Sequence, residues 1–76
     1  MNKIIEILSQ IRPEFDFLQS SDFFDEGILD SFDLITLVSE LDQTYDISID
    51  GMDILPANFY NVDAIAALLS RYGVAP

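Results

Sequence analysis

Asp30-Ser31-Phe32-Asp33-Leu34 decides how the rest of this chain is read. In front of it, Phe24-Asp25-Glu26-Gly27-Ile28-Leu29 has the residue types of a loop that stops abruptly. Behind it, Leu34, Ile35, Val38, Leu41 and Tyr45 recur at helical spacing and predict a one-sided helix from Ser31 to about Thr44. Asp30 suits the N-cap, where a side-chain oxygen accepts from an orphan backbone N–H; such a cap contributes about 1 kcal/mol. On spacing alone, Asp or Ser before an apolar run reads as an ordinary helix start that needs no functional explanation. Asp30 by itself is able to cap the helix, and Ser31 would then have no structural task. A hydroxyl there is exposed, and a helix N-terminus is electrostatically favourable for a phosphate. The position suits a serine modified by another protein better than one that does chemistry itself.

Working outward, Ile4, Ile5, Leu8 and Ile11 predict a first short helix that Pro13 ends near Arg12. Residues 13–30 form a long connection carrying Phe15, Phe17, Leu18, Phe23, Phe24, Ile28 and Leu29. A loop that apolar is expected to lie on the helices as an ordered lid. Tyr45-Asp46-Ile47-Ser48-Ile49 alternates like a strand but has no partner strand, so it is read as an extended connector. Pro56-Ala57-Asn58-Phe59 reads as one helical turn begun by proline. Asn61 caps a last helix with Asp63 in its first turn, Val62, Ile65, Ala66, Leu69 and Tyr72 facing inward, and Gly73 stopping it. The expected architecture is all-α: a small bundle of three main helices plus a short one, with a long first loop, spanning residues 1–76 as a single domain.

Half of the 76 residues are apolar and six are Phe, enough for a compact core rather than an acidic disordered tail. There is no cysteine, which fits a reducing compartment. The longest apolar run, Ala64 to Leu69, is far too short for a membrane span, and the N-terminus does not resemble a secretory signal. A cytoplasmic chain without membrane insertion is expected. Fourteen acids face three bases, Lys3, Arg12 and Arg71, for a net charge of −11, and ten of the acids fall between Asp22 and Asp53. Nucleic acid would be repelled, whereas proteins with basic patches would be attracted and oriented. A surface made acidic only for solubility is the other reading of the same charge.

Several chemistries drop out. With no histidine, Ser31 has no imidazole base, and the only lysine, Lys3, belongs to another helix. Zinc lacks His and Cys ligands, and the glycines at 27, 51 and 73 are too scattered for a phosphate loop. A calcium loop counted from Asp22 fails because Phe24 holds its third position and Asp33, not a glutamate, its twelfth. No catalytic or metal residue is assigned, and the chain is not expected to be an enzyme.

Asp30-Ser31-Phe32, the loop before it and the acidic striped helix after it resemble the acyl carrier protein superfamily. The likeness extends over nearly the whole chain: length, long first loop, helix order and the short turn at Pro56–Phe59. It implies that Ser31 receives a covalent 4′-phosphopantetheine from coenzyme A, with Asp30 as its acidic neighbour. Acyl or aminoacyl groups would then ride on the arm as thioesters. It also implies that the second helix is the face partners read, with Phe32, Asp33, Thr36 and Glu40 in contact. Those partners would be a phosphopantetheinyl transferase, an acyl- or amino-acid-activating ligase and downstream biosynthetic transferases, served by a monomer. Ile28-Leu29-Asp30-Ser31 departs from the glycine-rich motif of peptide-synthetase carriers, and Thr36 stands where fatty-acid carriers have glutamate. The stretch is similar to D-alanyl carriers and to stand-alone carriers serving a dedicated ligase. The competing reading is an acidic binding module of the same fold that carries no arm.

Overall fold

The computed structural model describes residues 2–14 and 22–75. The order is α1 (Asn2–Ile11), α2 (Ser31–Tyr45), a single 3₁₀ turn (Gly51–Asp53), α3 (Pro56–Phe59) and α4 (Val62–Arg71). No strand occurs among the described residues, so the chain is all-helical as expected. Helices α1, α2 and α4 enclose the core, with Ile4, Leu8, Leu37, Leu41, Ile65 and Leu69 fully buried.

Three helical phases differ from the expected ones. On α2 the buried set is Leu34, Leu37, Val38 and Leu41, and Ile35, expected inside, is 66% exposed. The i, i+3, i+4, i+7 pattern beginning at Leu34 leaves Ile35 about a quarter-turn outside the stripe. On α1, Ile7 packs fully while Ile5 and Ile11 are only partly buried. On α4, Leu68 joins Val62, Ile65 and Leu69, with Ala66 and Tyr72 packed at the edge.

The loop ahead of α2 is part of the core over its described portion. Phe23 and Leu29 are buried, and Phe24 and Ile28 are partly buried against the same core. Phe15, Phe17 and Leu18 lie outside the described residues. The Phe23 amide donates to the Tyr60 carbonyl at 2.7 Å, and the Phe23 carbonyl accepts from Ile28 and Leu29 at 2.8 and 3.0 Å. Gly27 sits at φ 75°, a left-handed conformation that a side chain disfavours, and this turns the chain back toward Ser31.

After α2, Asp46 at φ 54° ends the helix, and the Asp42 carboxylate accepts from the Ile49 amide at 3.0 Å. That bond holds the connector extended and turns Ile49 into the core. The 3₁₀ turn was not anticipated. Asp50 caps it, and Asp53 is held from α4 by Tyr72 at 2.6 Å and Arg71 at 3.1 Å. At the end of α4, the Val74 amide bonds Leu69 and the Gly73 amide bonds Ser70, with Gly73 at φ 78°. This is the paired closure that glycine permits.

Among the described residues, one buried side-chain group is unsatisfied. The Tyr45 hydroxyl is buried without a hydrogen-bond partner, and burial pushes its pKa up. Leaving a buried polar group unpaired costs about 1–3 kcal/mol. Tyr45→Phe is therefore expected to raise stability by about 1 kcal/mol in urea unfolding. A loss of stability would show that the hydroxyl has a partner in solution.

Candidate functional site

The N-terminus of α2 is built from three carboxylate contacts. Asp30 adopts an extended backbone, and its Oδ1 accepts from the Asp33 amide at 2.9 Å. In return, Asp33 Oδ2 accepts from the Asp30 amide at 3.3 Å, which closes a reciprocal capping box. Arg12, just past the end of α1, donates Nε and Nη2 to that same Asp33 oxygen at 3.0 and 2.8 Å.

Ser31 is the first helical residue, exposed, and its hydroxyl makes no hydrogen bond to a described residue. The cap is supplied by its neighbour, so the hydroxyl is available. Phe32 beside it is 81% exposed. Phe32, Ile35 and Thr36 lie at i, i+3 and i+4 and so share one outward face. The Thr36 hydroxyl bonds back to the Phe32 carbonyl at 3.2 Å. Asp33, Thr36 and Glu40 instead line an open groove of about 430 Å³ with Gln10 and Ile11 of α1. The contact residues expected on α2 therefore divide between its outward face and the groove, with Thr36 on both. Ile35, whose spacing predicts an inward position, lies on that outward face.

Hydrogen bonding from the Asp33 amide holds the Asp30 carboxyl below the ordinary 3.8 of an aspartate. A depressed folded pKa contributes stability that is complete above the unfolded value and lost as pH falls through the folded one. Asp30→Asn keeps a capping oxygen but cannot titrate. It is expected to flatten the acid-side loss of stability below about pH 4, measured by urea unfolding across pH. An unchanged slope would contradict this account of the cap.

In the loop, Asp22 accepts from the Phe24 and Asp25 amides at 3.0 Å each, and Glu26 accepts from the Asp22 amide at 3.1 Å. These carboxylates close a turn. Among the described residues, no three acidic side chains cluster closely enough to hold a metal ion, and no helix is long and apolar enough to cross a membrane.

A covalent phosphodiester needs a free hydroxyl with open space and a tolerant local field. Ser31 meets the first two requirements by its exposure and unbonded hydroxyl. At the first turn of α2 the helix dipole favours an anion, while the neighbouring Asp30 and Asp33 carboxylates oppose it. A family model described as a phosphopantetheine attachment site matches residues 2–69. No curated protein and no solved structure matches the chain.

Proposed function

The chain belongs to the phosphopantetheine attachment-site family, whose members carry a covalent 4′-phosphopantetheine, and from that premise we propose that Ser31 bears the arm. Carrier domains of this family are not themselves catalytic. The observation that supports Ser31 is its idle hydroxyl, exposed at the first helical residue while Asp30 and Asp33 satisfy the cap.

In this reading the serine oxygen bonds to the pantetheine-bearing phosphorus of coenzyme A. Adenosine 3′,5′-bisphosphate leaves with the electrons of the broken P–O bond. The serine proton goes to a base of the transferase. Once attached, the arm would supply a thiol able to hold an acyl or aminoacyl group as a thioester between an activating ligase and downstream transferases. The outward face of α2, with Phe32 and Ile35 exposed beside Ser31, is where those enzymes would dock. In the same reading residues 1–76 form one carrier domain that acts as a monomer in the cytoplasm, as the sequence leads one to expect.

The missing cysteine gives a clean test. After incubation with coenzyme A and a broad-specificity phosphopantetheinyl transferase, and removal of excess coenzyme A, the protein should titrate as a single thiol per chain. Before incubation it should titrate as none. A chain that stays thiol-free in the presence of a transferase active on another carrier would contradict the reading.

A further inference from the structure

Arg12 is the only base between Lys3 and Arg71, and it stands at the place where the end of α1 meets the start of α2. Its amide closes α1 on Leu8 at 2.9 Å, which fixes where the side chain begins. Its guanidinium converges on Asp33 Oδ2, the atom that also caps the Asp30 amide. That hydrogen bonding and charge raise the Arg12 pKa. The Asp33 side chain is only 13% exposed.

As a stabilising device such a pair is modest, because partly exposed ion pairs contribute about 0–1 kcal/mol. Its geometry matters more. The first turn of a helix is where fraying is easiest. Ser31 and Phe32, the first two residues of α2, are both exposed and have no packing to hold them. Leu34 is the first buried residue of the helix. Leu29, buried and bonded to the Phe23 carbonyl, anchors the chain ahead of the cap. Between Leu29 and Leu34, among the described residues, the start of α2 is tied down by the capping box and by the Arg12 bridge that ends in the box's own oxygen.

We propose that Arg12 is a positioning residue for the modification of Ser31: it pins the capping box to α1 and so holds the serine hydroxyl in one place for the transferase. This rests on the carrier reading. A transfer reaction is sensitive to where its nucleophile is held, and a misplacement of about 1 Å can cost about a hundredfold. A bare charge role for Arg12 predicts the opposite sign. Removing a cation makes the surface around Ser31 more negative, which would strengthen encounter with a basic partner.

The test uses the full chain, with Arg12→Met keeping the apolar stem and Arg12→Lys keeping the charge and one donor. Thermal unfolding first establishes that each variant is folded at the assay temperature. Steady-state transfer from coenzyme A is then measured against the concentration of this protein. Arg12→Met should lower kcat about tenfold without raising KM, and Arg12→Lys should recover most of it. Amide exchange gives a readout that needs no transferase. In Arg12→Met the Asp33 and Leu34 amides should exchange about tenfold faster, with those of Leu68 and Leu69 unchanged.

An unchanged kcat, a raised kcat/KM, or a raised KM at constant kcat would each overturn the assignment, as would unchanged exchange at Asp33 and Leu34. If the wild type takes up no arm, the carrier reading fails and the positioning role falls with it. Wild-type modification with unaltered Arg12→Met kinetics overturns the positioning role alone.

Discussion

Phe23→Ala is expected to cost about 3–5 kcal/mol, a large share of the stability of a chain this small. Phe23 belongs to a loop by sequence position, yet its side chain is completely buried among residues of the helices. Its backbone also joins the loop to the end of α3 through the Tyr60 carbonyl and holds the amides that lead into Asp30. Small chains are stable by only about 0.05–0.15 kcal/mol per residue, so this loss is at least a quarter of the whole and at the lower end all of it. Phe24→Ala, at a partly buried neighbour, should cost much less, about 1 kcal/mol. Urea unfolding of the two variants checks the contrast. A loss under about 1 kcal/mol at Phe23 would mean that the loop covers the core without belonging to it.

Ser31→Ala is expected to be all-or-none in function and silent in structure. The hydroxyl makes no hydrogen bond to a described residue, and the cap depends on Asp30 and Asp33. Alanine is a good helix former, so the change in stability should stay within about 0.5 kcal/mol. With coenzyme A and transferase the variant should gain no thiol, while its circular dichroism and melting match the wild type. A variant that is modified as fast as the wild type would move the attachment elsewhere. A variant that loses the arm only because it unfolds would show that Ser31 has the structural task the capping geometry denies it.

Much of this architecture was legible because its signals are local. Proline at the first position of α3, Asn61 bonding the Ala64 amide at 2.7 Å, and Gly73 beyond α4 each act within a few residues. Asp30 as the cap of α2 was readable for the same reason. The phase error at Ile35 had a local remedy too. Leu34, Leu37, Val38 and Leu41 form a full helical stripe without it, and Ile35, about 100° round the helix from Leu34 on the side away from Leu37, falls outside that stripe.

Other features depend on residues far apart in sequence. The Arg12 bridge spans 21 positions, and nothing near Arg12 says that Asp33 will meet it. The 3₁₀ turn at Gly51–Asp53 is fastened by Tyr72 and Arg71, 19 and 18 positions away from Asp53. At the site, the resemblance pointed to Ser31 and to α2. The division of Asp33 and Glu40 from Phe32 and Ile35 needed the packing of α1 against α2.

The measurement that tests the central claim most directly is the location of the arm on the wild-type chain. After transfer from coenzyme A, the intact protein is weighed, digested and fragmented by tandem mass spectrometry. One 4′-phosphopantetheine is predicted, carried by Ser31. An arm on Ser39, Ser48 or Ser70, or no added mass at all, would contradict the account.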